Sequence, residues 1–304
     1  MQTNNETKKK QLLDQVKALL TGKMSKQEVA QATFFTDTFF RRIPVGEMEQ
    51  AVSGGLARIM AAKFSLFEQR GEDELKIRVF NPSSEQHGWE CRHTVVEMLN
   101  DDMPFLVDTA SMAMQELDLN VHLIVHPIFN VERSEDGKFK AFRQEATEAT
   151  RKESYIHIQL DRQTQPAVLS SIEELLRERM KAVRTTVDDW QPMCKRLDAA
   201  IAEFEQNLAG LPGDVHRQCT DFLRWLGDDH FMFIGARCYS LSGSGENACI
   251  EVDQGTGLGL LRETPQTELS RPINKLSDES RFNPDAPLII TKANSRSPMH
   301  RGGY

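Results

Sequence analysis

Asn100 to Pro127 read NDDMPFLVDTASMAMQELDLNVHLIVHP. Two adjacent carboxylates and a proline precede an apolar run of helical period, and a run of strand period carrying two histidines follows it. A residue before proline is pushed out of the α region, so Met103 is expected to be extended and the helix to open at Pro104, whose ring suits a first turn. Asn100, Asp101 and Asp102 then form a strand-to-helix loop. Leu106, Ala110, Ala113 and Leu117 fall on one side of the helix, as a helix covering a sheet requires.

Working outward, LKIRVFNP, RHTVVEML, VHLIVHPIFNVE and SYIHIQL between Glu74 and Leu160 alternate with period two and read as strands around that helix. Alternation is expected to turn Val121, Leu123, Val125, Phe129, Val131, Ile156, Ile158 and Leu160 toward the helix. His93, Val95 and Glu97, then His122, Ile124, His126 and Ile128, then Tyr155 and His157 point the other way. Strand, helix, two hairpin-like strands, a further strand and a helix make an α+β, ferredoxin-like sandwich, with Leu75 to Phe80 as candidate for the remaining strand.

Upstream, Glu6 to Phe64 is helical in pattern, with Ser25 and Glu28 spaced as a capping box and Pro44 as a stop. Downstream, Leu169, Ile172, Leu176 and Val183 share one helical face, and Trp190, Leu197, Ile201, Phe204 and Leu208 share another. After GLPGD come a helix through Trp225, the strand-like HFMFIGARCYSL, a turn-rich SGSGENA and a short strand to Asp253. The expected domains are therefore a helical segment over 1–70, an α+β domain over 71–185, a connecting helix over 186–210 and a second α+β segment over 211–304. The tail from Thr264 ends at HRGGY without a terminal helix or charged end, as expected of a chain that continues.

With 304 residues, 39% of them hydrophobic, the chain can bury a substantial core. Its apolar runs fall short of the roughly 18 residues of a spanning helix, and the start MQTNNETKKKQLL lacks the core of a signal peptide, so no membrane partner and a cytoplasmic location are expected. The formal charge of −8, with Lys and Arg dispersed, gives no footprint for nucleic acid. Five scattered cysteines, none in a C-x-x-C pair, signal reduced thiols rather than disulfides or structural zinc.

Asp102-Met103-Pro104-Phe105-Leu106-Val107, set between a strand and a helix, resembles the D-x-P-G-L-L ligand loop of ACT domains, ferredoxin-like modules that sense amino acids in metabolic enzymes. Phe105 stands where that family has glycine, and adds a bulky group where a ligand would approach the backbone. A second resemblance spans nearly the whole chain. NDDMPFLVD, VHLIVHPIF, FLRWLGDDHFMFIGAR, GTGLGLLR and ITKANSRSPMHR, in that order, are similar to the N-terminal region of the large-subunit bacterial NAD-specific glutamate dehydrogenases. That resemblance implies an ACT-like regulatory or assembly region of an oxidoreductase whose nicotinamide-binding fold, and hence NAD, belong to a later part. Its partners would be its own C-terminal catalytic region and other subunits, with an amino acid as candidate effector. The alternative is a packing or oligomerisation scaffold that binds no small molecule.

The residues bring no competing chemistry. Gly255-Thr256-Gly257-Leu258-Gly259 lacks the G-x-G-x-x-G spacing that cradles a pyrophosphate, and reads as turn glycines. Asp101 and Asp102 could in principle share a proton or a metal, but neighbours in an extended loop point apart and a solvated or capping role is expected. His122 and His126 lack a third zinc ligand. Asp228, Asp229 and His230 read as a polar turn before a strand, and Lys292, Arg296, His300 and Arg301 as a packing segment. No catalytic residue, metal ligand or cofactor is assigned within the chain. Candidate ligand-loop residues are Asn100, Asp101, Asp102, Met103, Pro104 and Phe105. His93, His122, Ile124, His126 and His157 mark a candidate interface, too apolar for plain solvent, with the Trp190 to Leu208 helix or a second copy as its cover.

Overall fold

In the computed structural model, described for residues 7–15, 25–41, 43, 65–87, 89–206, 213–243, 249–265, 267–272, 288–291, 293 and 297–299, helix α1 (Lys26–Phe40) opens on the expected capping box. Ser25 N donates to Glu28 Oε2 at 2.8 Å and Glu28 N donates to Ser25 Oγ at 3.3 Å, satisfying two otherwise orphaned amides. Pro44 lies outside the described residues. The chain divides into two compact units, Met1–Met180 and Lys181–Tyr304.

The first unit is built on a six-stranded antiparallel sheet. Its strands are β1 (Lys76–Phe80), β2 (Thr94–Asp101), β3 (Val121–Val125), β4 (Ile128–Arg133), β5 (Phe139–Arg143) and β6 (Thr150–Leu160), with α2 (Leu106–Glu116) between β2 and β3. The order is β1-β2-β6-β4-β5, and β3 pairs with β6 beyond the end of β4. β2, α2 and the β3/β4 line form a split β-α-β unit with β6 between, the ferredoxin-like arrangement. The outer strand beside β2 comes from β1, upstream of the unit.

The expected single strand from Val121 to Glu132 is divided at Pro127. Proline has no N–H for the ladder, but its carbonyl accepts from Tyr155 N at 3.0 Å, so β3 and β4 run in line along one edge of β6. β5, not anticipated as a strand, closes a hairpin with β4.

The register corrects the expected faces. Val125 lies opposite His157 and Phe129 opposite Glu153, so Val125, Phe129 and Val131 share a face with Tyr155 and His157, not with Ile156 and Ile158. That face, with Val95 and Leu99, is covered by α1 of the same chain, through Phe35, Phe39 and Phe40. Phe35 stacks on Phe129 at 5.3 Å and meets Tyr155 edge-on at 5.8 Å. Truncating one such buried phenylalanine costs about 3–5 kcal/mol. The opposite face presents Val96, Met98, Ile156, Ile158 and Leu160, none above 2% exposed. The buried stripes of α2 (Leu106, Ala110, Ala113, Met114) and of the next helix, α3 (Pro166–Asp188; Ile172, Leu176, Met180), match it.

The second unit continues from α3 into α4 (Trp190–Gln206) and α5 (Gly213–Trp225), which packs on α4. Leu226–His230 is a π-helical turn prolonging α5, so Asp228 and His230 belong to a helix end, not to a turn before a strand. Short strands follow: β7 (Gly235–Ala236), β8 (Tyr239–Ser242), β9 (Cys249–Val252), β10 (Leu258–Gly259) and β11 (Ser270–Pro272), in sheets β10-β7 and β11-β9-β8. The glycine-rich run turns from β9 into β10. Gly259, at φ 56°, has no room for a Cβ, which would lie 2.4 Å from Ile234 O.

Candidate functional site

Asn100 and Asp101 end β2, and the alternation that separates Val96 from Val95 also separates them. Asn100, 4% exposed, lies opposite Ser154 on the side of Met98 and Ile156. Asp101 lies opposite Glu153 on the α1 side. Asp102 N donates to Lys152 O at 2.9 Å, extending the pairing by one bond before the chain leaves the sheet.

Helix α2 begins at Leu106, two residues later than expected. Phe105 takes the left-handed conformation, φ 71° and ψ −3°, which a helical residue cannot hold, so Pro104 and Phe105 form a turn instead of a first helical turn. The position that matches the family's glycine thus keeps a glycine-like backbone while carrying a phenylalanine, a conformation costing an L-residue of this size about 1–2 kcal/mol. Phe105 O still accepts from Thr109 N at 2.9 Å.

The α1 side of the loop rests on charge. Arg70, with no exposed surface, lies 2.9 Å from Asp101 Oδ1 and 3.2 Å from Glu153 Oε1. Arg133 grips the same Glu153 with two bonds, Nε to Oε1 at 2.6 Å and Nη2 to Oε2 at 2.8 Å, and donates to Phe67 O and Gly137 O. Asp101 is therefore an ion-pair partner of a buried guanidinium, not a solvated or capping carboxylate. Farther along the face, buried Glu97 accepts from Tyr155 Oη at 2.8 Å, pairs with Arg78, and lies 3.5 Å from His157 Nδ1. Burial first, then the negative charge of Glu97, holds the Tyr155 phenol well above its ordinary value.

On the other side, His126 Nε2 contacts the hydroxyl of buried Ser154. Asn100, Ser154 and His126 thus form a polar group beside the loop that the sequence did not reveal, since it depends on a cross-strand register. The histidines do not share one open face. His157 is buried against Phe39, ring centroids 5.7 Å apart, and His126 sits with Ser154. His93 and His122 face each other at 4.4 Å beside Asp161, which accepts from His122 and Asn120. Burial, then the charges of His122 and Arg92, lowers the His93 pKa. Ile124 pairs with Ile158. Lys292, Arg296, His300 and Arg301 lie outside the described residues.

Among the described residues no group of three or more His, Cys, Asp or Glu side chains is arranged to hold a metal ion, and no helix is long and apolar enough to cross a membrane.

Residues 35–176 match the family model described as glutamate dehydrogenase, ACT1 domain. Over 301 residues the chain is 30% identical to the NAD-specific glutamate dehydrogenase of Halomonas elongata, an alignment covering 96% of this chain and 18% of that protein. It is 26% identical over 294 residues to the protein of the same name from Pseudomonas aeruginosa, covering 95% and 18%. With the NAD-specific glutamate dehydrogenase of Mycobacterium tuberculosis it shares 26% identity over 203 residues, 66% of this chain and 12% of that one. The chain spans less than a fifth of the length of these relatives.

Proposed function

We propose that this chain, which is similar to NAD-specific glutamate dehydrogenases over nearly its whole length and matches the glutamate dehydrogenase ACT1 domain over residues 35–176, is the N-terminal regulatory and assembly region of such an enzyme. The parent reaction is oxidation of glutamate by NAD to 2-oxoglutarate and ammonium, carried out outside these residues, in the cytoplasm. The chain itself needs neither NAD nor a metal. Its partners are the catalytic region of its own polypeptide and neighbouring subunits.

The observation that carries this reading is the anchoring of the Asn100–Phe105 loop. One end is tied through Asp101 to buried Arg70, the middle is bonded through Asp102 N to Lys152 O, and the far end opens α2. The first-turn amides of α2 suit a carboxylate, and the Asp102 side chain of the same loop suits an ammonium. Those are the two charges of a free amino acid. The loop is a binding element in this reading, and Asp101 a support instead of an acid catalyst.

Phe105 favours a second reading, a scaffold that binds no small molecule, because its side chain occupies the position where a ligand would approach the backbone. Calorimetric titration of the chain with the amino acids at millimolar concentration separates the two. Saturable heat lost in Asp102→Ala supports the effector site, and flat traces throughout support the scaffold. NAD-coupled glutamate turnover by the 304-residue chain alone would contradict both.

A further inference from the structure

The second unit has a cleft of about 650 Å³ between α4, the segment 230–237 and residues 288–291 and 293, within the size range of ligand-binding sites. Its walls are apolar and incompletely covered. Met232 is 45% exposed, Tyr239 45% and Ile289 50%. The apolar surface continues outside the cleft along a row of rings: Phe222 stacks on Trp225 at 5.9 Å, and Trp225 stacks at 4.6 Å on His230, which lines the cleft. Phe222 and Trp225 are themselves about half exposed. The ring row runs from the end of α5 to the last residue of the π-helical turn that prolongs it, a distortion often found where a helix serves a function. Contiguous apolar surface of this kind on a soluble unit marks an interaction site.

Charge narrows the occupant. Although the chain carries a formal charge of −8, the charged residues among the described ones that line the cleft are Arg196 and Arg237, and none of those described lining residues is Asp or Glu. Both guanidiniums donate to main-chain carbonyls, Arg196 to Thr256 O, and Arg237 to Leu261 O through Nε at 2.8 Å and Nη2 at 2.5 Å. Those bonds fix the side chains without neutralising them. Glu263, close enough to feel Arg237, directs a carboxylate oxygen to Gly257 N instead. A small molecule would fill the cleft and leave the ring row bare, whereas a helix with an apolar face covers both.

We propose that this surface is a docking site for an acidic amphipathic helix, its apolar face laid into the cleft and over Phe222 and Trp225, and its flanking carboxylates directed at Arg196 and Arg237. The site lies in the second unit and is independent of the Asn100–Phe105 loop.

The test uses the full 304-residue chain and three dye-labelled peptides of about four helical turns. One carries leucines at helical spacing flanked by glutamates, one has lysines in place of the glutamates, and one has serines in place of the leucines. Fluorescence anisotropy is expected to show saturable binding of the first, at least about tenfold weaker binding of the second, and none of the third. Ile289→Asp, at an exposed position and so safe for folding, should weaken the first peptide about tenfold, and Arg237→Gln should narrow the gap between the first two. Val121→Asp, on the first unit, should change nothing. Equal binding of acidic and basic peptides, or none by either, overturns the proposal. So does sedimentation showing a dimer that Ile289→Asp dissolves, for then a second copy is the occupant. Circular dichroism melts of each variant confirm that losses are not unfolding.

Discussion

Arg70 and Glu153 meet at 3.2 Å with neither side chain exposed to solvent, and through this pair the segment before β1 is fastened to the middle of the sheet. Removing one member of a buried ion pair strands the other charge, which costs about 3–5 kcal/mol. Arg70→Met is expected to fall at the lower end of that range, because Glu153 keeps Arg133. Asp101→Asn, which leaves Arg70 still paired with Glu153, should cost about 1 kcal/mol. Urea denaturation of the two variants checks the order, and Asp101→Asn proving the more damaging would refute it.

Tyr155 gives the first unit an alkaline limit. Its folded pKa is raised by burial and by Glu97, so the folded state holds the phenolic proton more tightly than the unfolded chain, which releases it near pH 10. The contribution is complete below that pH and lost as pH rises toward the folded value. Tyr155→Phe should destabilise the unit by about 1–3 kcal/mol at neutral pH, since Glu97 loses a donor, and should flatten the decline of stability above about pH 10. A wild-type and variant pair with parallel alkaline curves would show that the phenol is not coupled to folding.

Phe105 provides a backbone test. Phe105→Gly removes the penalty of the left-handed conformation but loses a half-buried ring, and is expected to change stability by less than about 1 kcal/mol in either direction. Phe105→Val, with a branched Cβ in the same conformation, should destabilise by about 1–2 kcal/mol. If valine is tolerated as well as glycine in thermal melts, the loop does not hold φ 71° in solution.

Asp189, at the junction of α3 and α4, accepts from Arg262 at 2.5 and 2.7 Å and from Gly259 N at 2.7 Å. The Arg262 bonds, aided by Gly259, hold its carboxyl below the usual range despite burial. A depressed folded pKa gives stability that is present above the unfolded value near 4 and lost as pH falls through the folded one. Asp189→Asn should weaken the second unit by about 1–3 kcal/mol at neutral pH and remove part of its acid sensitivity. In a Trp89→Phe background, fluorescence of Trp190 and Trp225 reports that unit. An unchanged acid midpoint in the variant would rule out Asp189 as its cause.

The α+β class, the capping box of α1, the β2-α2 unit and the use of Leu75–Phe80 as the missing strand were legible because each is written in local spacing or in turn chemistry. The site was legible as a loop but not as a network. Arg70, Arg133 and Glu153 come from three separated segments, and nothing in the residues around Arg70 marks it for complete burial. The sheet faces were misread in the pairing of the β3/β4 line with β6: its register is the same on both sides of Pro127, Val125 opposite His157 and Ile128 opposite Ser154, but nothing local says which of two alternations on β6 it meets. The covering of His157 by α1 was missed for a related reason: a helix rich in phenylalanine announces that it will bury a face, not which sheet face it will choose.

The position of β1 upstream of β2 bears on how the polypeptide emerges during synthesis. β1 and β2 are neighbours in the chain and pair in register from Lys76↔Leu99 to Phe80↔Val95, so this hairpin can close with little loop entropy as soon as both strands leave the ribosome. The other edge of β2 then waits until β6 arrives far downstream. For that interval β2 exposes one edge instead of two, and the partner that finally caps it, the longest strand of the sheet, is also the one that gathers β3 and β4 on its far side. Arrival of β6 is thereby the event that converts a growing hairpin into a closed domain.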